Sequence, residues 1–380
     1  MDATYETLAI PEAGSTCVVG LSGGVDSALT AMLLKEKGCR VIGVTMSKWT
    51  GDLDLPSGVE GMKGSCYGPD EEKDIAACKA FCAEQGFEYH VIPVGEAYHR
   101  EVLEYFKDEY RAGRTPNPCI RCNPLVKFGA MIEGVRALGI QFDYFCTGHY
   151  ARIVKDADGG LFIQSAEDST KDQAYFLYRL PQETLSFVRF PLGTYEKKAV
   201  VAMARERNLA AAGRAESQDF VPPEYLDVIF SDKPPVPGDI VDLDGKKLGT
   251  HRGIEYYTIG QRRGLGVSSS RPLYVHSIDA ANNRVVLADN DDLLEAGLVA
   301  GDWMWGGGAA PKEAFRALVK IRLASRPVEA TIAPVPASES GLWEIRFENK
   351  QRAVAPGQSA VVYYKGIILG GGIISRAIHE

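Results

Sequence analysis

The chain opens with short apolar runs set between glycine-rich turns and longer amphipathic stretches. "TCVVGL" (16–21) is compact and β-branched, the pattern of a buried strand. "SGGVDS" then reads as a turn, and "ALTAMLLKEKG" (28–38) as a helix stopped by Gly38. "RVIGVTM" (40–46) predicts a second strand, and residues 47–69 read as irregular. A helix over 70–86, a strand over 87–94 and a helix over 96–113 follow. A cysteine loop leads to a helix over 125–139 and a strand over 144–149. Strands alternating with helices predict an α/β fold with a doubly wound parallel sheet.

After about residue 210 the helical period disappears. Turns come every few residues, and runs such as "NRVVLA", "WEIRFE" and "SAVVYYKGIILGG" read as strands. The pattern divides the chain into an α/β domain (1–212), a small central β domain (213–280) and a C-terminal β domain (281–380).

Composition changes this picture little. A hydrophobic content of 45% and a charged content of 24% are ordinary for a globular protein. There is no apolar run long enough to span a bilayer. The acidic opening "MDATYETLAIPEAG" is not a signal peptide, which makes a cytoplasmic, thiol-reducing setting the expectation. The net charge of −8 argues against a nucleic-acid partner until it is read locally. Residues 111–136 carry five cations against Glu133 alone, and residues 246–263 carry five against Glu255 alone. Two such stretches predict a phosphate-binding surface, and solvated surface charge is the plain alternative.

Two motifs carry chemistry. In "GLSGGVDS", Gly20, Leu21, Ser22, Gly23, Gly24, Val25, Asp26 and Ser27 join a strand to a helix N-terminus, where backbone N–H groups face an anion. Asp26 either caps the helix or helps hold Mg²⁺. The stretch lacks GxxxxGK[ST] and GxGxxG, so it is neither a kinase-type P-loop nor a dinucleotide turn. The second motif is "TPNPCIRCN" (115–123). Its prolines predict a shaped loop holding Cys119 and Cys122, as a metal pair, a redox pair or a nucleophile with a helper. All eight cysteines, at 17, 39, 66, 78, 82, 119, 122 and 146, lie in the α/β domain. Cys78 and Cys82, four apart on one helix, read as core. A zinc site drawing on Cys66, Cys78, Cys82 or His149 is not placed by the spacing.

The glycine turn resembles the PP-loop of ATP pyrophosphatases. "GRTPNPCIRCN", "KFG" (127–129), "TGHYAR" (147–152), "KDQAYFL" (171–177), "ESQDF" (216–220), "YTIGQRRGLG" (257–266) and "PGQSAVVYY" (356–364) occur in the order found in tRNA-specific 2-thiouridylases. The resemblance spans nearly the whole chain. It implies an adenine nucleotide alpha hydrolase-like PP-loop domain and a last module that is a tRNA-binding β-barrel. It also implies that ATP, with Mg²⁺, adenylates O2 of the wobble uridine in the anticodon stem-loop. A persulfide or sulfide derived from cysteine then attacks C2, releasing AMP. By resemblance, residues 20–27 with Met46 and Gly148 bind the nucleotide, and Cys122 is the nucleophile. Asn117, Pro118 and Cys119 lie against the base, while His149, Lys171, Asp172, Gln173, Arg322 and Gln358 touch tRNA. A sulfur-donor protein, such as a cysteine desulfurase or a relay protein, is an implied partner. Arg114 and Arg121 are expected to favour the Cys122 anion.

The chain departs from that family in one respect that bears on mechanism. The family usually carries a second cysteine after SQD, whereas "SQDFVPP" has none. Two mechanisms follow: a Cys119/Cys122 pair that resolves a persulfide within one loop, or an iron–sulfur cluster held by Cys119, Cys122 and Cys66. The rival functions are another adenylating PP-loop synthetase and a non-catalytic tRNA-binding or sulfur-carrier relative.

Overall fold

The computed structural model describes residues 4–8, 10–55, 66–213, 220–335 and 341–380. The SQD segment (217–219) lies outside them.

The apolar runs of the first domain form one parallel sheet. Its order is Glu88–Pro93, Arg40–Ser47, Thr16–Gly20, Tyr144–Thr147, Val188–Arg189. Side chains alternate between faces along each strand, and the two faces bury different residues. Val18, Ile42, Val44 and Phe145 point into a large core under the helical stretches 95–111 and 118–137. Cys17, Val19, Val41 and Cys146 point the other way, toward helices Val25–Glu36 and Glu71–Gln85. Sheet order reverses between Thr16–Gly20 and Tyr144–Thr147, so the carboxyl ends of these two strands flank a crevice of the kind that holds ligands in open α/β sheets.

The cysteine segment differs from the expected loop. Pro118–Cys122 is the first helical turn of the stretch that runs to Ala137. Pro118 sits at its start, where a missing N–H costs nothing and a fixed φ favours the helix. The next eight residues, Asn123–Ala130, are π-helical, a distortion that recurs at functional sites.

Gly238–Val241, Lys247–His251, Tyr274–Asp279 and Arg284–Ala288 form the central four-stranded sheet. Arg284–Ala288, which the pattern assigns to the last module, pairs here with Gly238–Val241 and Tyr274–Asp279. Beyond it, six antiparallel strands from Leu294–Trp305 to Ile367–Ile378 close into a barrel around Leu298, Val319, Ile345, Trp343 and Val362. The hairpin Ala151–Lys155/Leu161–Ser165 of the first domain extends this barrel sheet, through Ser165 donating to the carbonyl of Gly366 at 2.8 Å. The α/β domain with two β modules is borne out.

Candidate active site

The glycine turn leaves the strand at Gly20 and enters helix Val25–Glu36 at Gly24. Gly23 has φ +77, a conformation that favours glycine. The Ser27 hydroxyl donates to the Gly24 carbonyl at 3.1 Å and accepts from the Ser22 amide at 3.1 Å, which ties the turn to the helix start. Asp26 is held by the Lys197 ammonium, 2.8 Å from both carboxylate oxygens, and by the Tyr150 hydroxyl at 2.8 Å. Gly148 approaches closely: a Cβ there would lie 2.8 Å from the Asp26 carbonyl carbon and 2.9 Å from the Ser27 nitrogen. Beside the turn opens a cavity of about 340 Å³ lined by Gly23, Gly24, Ser27, Leu21, Phe81 and Leu209, among others. Bent glycine backbone, a helix start without a side-chain cap, two hydroxyls and a cavity fit a phosphate-bearing nucleotide. Met46 packs against the opposite core, at the end of its strand.

The second centre surrounds Tyr98, whose ring is buried. The Cys66 thiol lies 3.7 Å from its hydroxyl and 3.6 Å from the Phe220 carbonyl. Burial lifts the Tyr98 hydroxyl well above its ordinary range, and the charges of Cys66, Cys122 and Cys119 add to the rise. Burial pushes Cys119 up to about 12, reinforced by Cys66 and Cys122 and opposed by Lys127. Burial also raises Cys122, while Lys127 and Lys48 counter it. Burial opposes charge on Lys48, but Cys66, Glu71 and Cys122 hold its ammonium above its usual range. Lys48 bonds Glu71 at 3.3 Å, and Glu71 accepts the amides of Lys48 and Trp49, which fixes the end of strand Arg40–Ser47.

The expected cations are elsewhere. Arg114 pairs with Glu109 at 2.8 Å. Arg121 pairs with Glu101 at 3.3 Å and stacks on Tyr105. Lys127 and Lys48 are the cations acting on Cys122, and the spacing around the CxxC did not reveal them. The "KFG" motif carried the signal for Lys127; nothing in the pattern marked Lys48.

Residues 147–149 link the two centres. Gly148 abuts the glycine turn. The Lys127 ammonium donates to His149 Nε2 at 3.2 Å, and His149 Nδ1 then donates to the Thr147 hydroxyl at 2.7 Å. Burial, aided by Lys127, holds the imidazole well below its usual range, so His149 is neutral near pH 7.

The remaining predicted residues are dispersed. Asn117 precedes the cysteine helix with extended backbone. Asp172 accepts the amides of Ala166 and Ala174, and Gln173 brackets Tyr150 through backbone and side chain. Lys171 belongs to the same turn. Gln358 donates to the carbonyls of Thr115 and Pro116 at 3.0 and 3.1 Å, so the barrel braces the segment ahead of Cys119. Arg322 donates to the carbonyls of Ile259 and Ala353, joining the barrel to the central module. In the basic stretch 111–136, Arg111 pairs with Asp232 and is half-buried, whereas Arg114 and Arg136 are exposed, the latter over Phe187. In 246–263, Lys246, Arg262 and Arg263 are exposed.

Comparison with known proteins agrees with this geometry. The family model described as the tRNA methyl transferase HUP domain matches residues 15–222. Those described as the tRNA methyl transferase PRC-barrel domain and the aminomethyltransferase beta-barrel domain match 225–289 and 295–374. The tRNA-specific 2-thiouridylase MnmA of Chloroflexus aurantiacus is 42% identical over 364 residues, covering 94% of this chain and 98% of that protein. The chain belongs to the tRNA-specific 2-thiouridylase family. A second member, from Endomicrobium trichonymphae, is 42% identical over 360 residues with the same coverage. Among solved structures, the U34-tRNA thiolase NcsA from Methanococcus maripaludis, with its [4Fe-4S] cluster, overlaps 59% of this chain and 68% of its own. At 16% identity and a TM-score of 0.35 that likeness is too remote to bear on chemistry.

Proposed function

We propose that this protein uses ATP to thiolate C2 of the wobble uridine of tRNA. One observation beyond kinship carries the reading: Gly148 touches the glycine turn while its neighbour His149 is bonded to Lys127, the cation beside the thiols. An activating centre and a sulfur centre are thus joined by two adjacent residues. Residues 20–27, with Gly148 and Met46 at the border, bind ATP, and Mg²⁺ supplies charge neutralisation on its phosphates. Uridine is a poor electrophile, so its O2 is adenylated and pyrophosphate leaves. Asn117, Pro118 and Cys119 hold the flipped base. His149, Lys171, Asp172, Gln173, Arg322 and Gln358 lie on the tRNA path, and exposed Lys246, Arg262 and Arg263 meet its phosphates.

A donor protein loads Cys122 with a persulfide. Its terminal sulfur attacks C2, the C2–O bond breaks and AMP departs. The Cys119 thiolate then attacks Cys122 Sγ, which frees 2-thiouridine and leaves a Cys119–Cys122 disulfide. A dithiol reductant supplies the two electrons that restore it. The high affinity of Cys119 for its proton at rest makes its deprotonation part of this step.

A second reading is an iron–sulfur cluster on Cys66, Cys119 and Cys122, whose charges all act on Tyr98. Among the described residues no group of three or more His, Cys, Asp or Glu is arranged to hold a metal ion.

Nucleoside mass spectrometry of tRNA incubated with the protein, ATP, Mg²⁺, a persulfide-donor protein and a dithiol reductant tests the function. Formation of 2-thiouridine with equal AMP and pyrophosphate is expected, and ATP turnover without 2-thiouridine overturns it. Anaerobic purification with iron analysis separates the mechanisms: an iron-free protein that thiolates tRNA removes the cluster, and iron and activity lost together in Cys119→Ser, Cys122→Ser and Cys66→Ser remove the persulfide pair.

A further inference from the structure

We propose that Lys197 is a further residue of the nucleotide site, the cation that lets the glycine turn accept the pyrophosphate portion of ATP. This rests on the nucleotide reading of residues 20–27. Three observations converge on it.

Lys197 comes from 171 residues away, yet its ammonium sits 2.8 Å from both oxygens of Asp26, inside the glycine motif. Its side chain is 16% exposed and that of Asp26 is 26% exposed, so the pair lies at a recessed but open position. The surroundings are built to hold it there. Asp168 accepts the Lys197 backbone amide at 2.9 Å, and Tyr150 fixes one Asp26 oxygen at 2.8 Å.

Its place in its own helix is electrostatically adverse. Lys197 opens helix Lys197–Glu206, whose first turn contains no acidic residue. A cation there opposes the positive end of the helix dipole. Helix Val25–Glu36 also begins at this point, so two helix starts and one ammonium meet at Asp26, with Asp168 on the Lys197 amide. Two helix N-termini and an ammonium at one place form a setting that an entering polyanion can use.

The physical role follows from charge. A bare Asp26 would repel phosphate. With Lys197 on it the turn is close to neutral and its N–H groups dominate. When a magnesium-bound polyphosphate arrives, Asp26 is free to turn to the cation and Lys197 to a β- or γ-oxygen. AMP lacks those oxygens, so Lys197 discriminates the leaving group from the nucleoside end.

Calorimetric binding of magnesium pyrophosphate and of AMP to the full chain tests this without turnover. Lys197→Gln is expected to weaken pyrophosphate at least about tenfold, the scale of one charge-assisted hydrogen bond, while AMP changes by less than about twofold. Lys197→Arg, which keeps the charge, is expected to restore pyrophosphate to within about threefold of wild type. Wild-type pyrophosphate affinity in Lys197→Gln overturns the proposal. So does an equal loss of pyrophosphate and AMP, the mark of a merely structural residue, or a failure of Lys197→Arg to rescue. A wild-type chain that binds neither ligand removes the nucleotide reading itself, and is thereby distinguished from failure of the Lys197 assignment.

Discussion

Two groups of cysteines share one domain and have opposite surroundings. Cys17, Cys39, Cys78, Cys82 and Cys146 pack together with Val19, Leu21 and Leu34 on one side of the parallel sheet. Cys66, Cys119 and Cys122 act electrostatically on Tyr98 in the core of the other side, and Lys48 and Lys127 act on Cys122. In the first group burial pushes Cys82 up to about 12, with Cys78 adding to the rise, while a hydrogen bond to Cys146 lowers Cys17. In the second, two ammonium groups oppose burial at Cys122. Cys82, with no cation acting on it, packs as a small apolar group, whereas Cys122, with two, is suited to carry sulfur.

The sharpest test exchanges sulfur for oxygen in each group. Cys122→Ser is expected to lower thiolation on the order of 10³-fold or more, with little change in melting temperature. Cys82→Ser should do the reverse. Cys82 is fully buried against Gly43 among apolar side chains, so burying a hydroxyl there should lower stability by about 1–3 kcal/mol and the melting point by several degrees. Thiolation per folded molecule at 25 °C should be unchanged. Equal losses in both assays for both variants would erase the distinction.

A smaller effect separates the cations. Lys127→Gln is expected to slow alkylation of Cys122 by iodoacetamide at pH 8 several-fold, because the thiol loses the charge that counters its burial. Arg114→Gln and Arg121→Gln should leave the rate within about twofold, since those guanidiniums are spent on Glu109 and Glu101. A large effect of either arginine would reinstate the sequence expectation.

The mildest is a pH dependence common to both groups. Cys39, Cys82 and Cys119 are raised to about 11, 12 and 12, chiefly by burial. Above the ordinary thiol range the unfolded chain releases these protons while the folded chain keeps them. Stability is thus fully present below about pH 8.5 and is lost as pH rises toward 11–12. Urea midpoints measured from pH 7 to pH 10.5 should fall, and Cys82→Ala should flatten the slope. A midpoint that holds or rises with pH contradicts the burial argument.

Much of this was legible because it is local. The glycine turn sits between a strand and a helix, so its fold and its anion-facing role are written in eight consecutive residues. The parity of the core cysteines was also readable: Cys17 and Val19 flank Val18, and in a strand they share a face. The cysteine segment was misjudged for a local reason as well. Its prolines suggested a loop, but Pro118 stands at a helix start, where proline is favourable, and Cys119 and Cys122 become neighbours three apart on one turn.

The sequence by itself determined the order of elements, the nucleotide turn, the cysteine pair and the family, because each is encoded by contiguous residues and their order. Only the tertiary structure decided which charges count. Whether a cation meets a thiol, a carboxylate or solvent depends on the packing of segments far apart in the chain. Arg114 and Arg121, close to Cys122 in sequence, turn to Glu109 and Glu101. Lys48 reaches the cysteines from the end of another strand, and Lys197 reaches Asp26 across 171 residues. The barrel reaches back to brace the cysteine segment through Gln358. Electrostatic energy falls with distance in space and is indifferent to separation along the chain, so these partners appear only once the chain has folded.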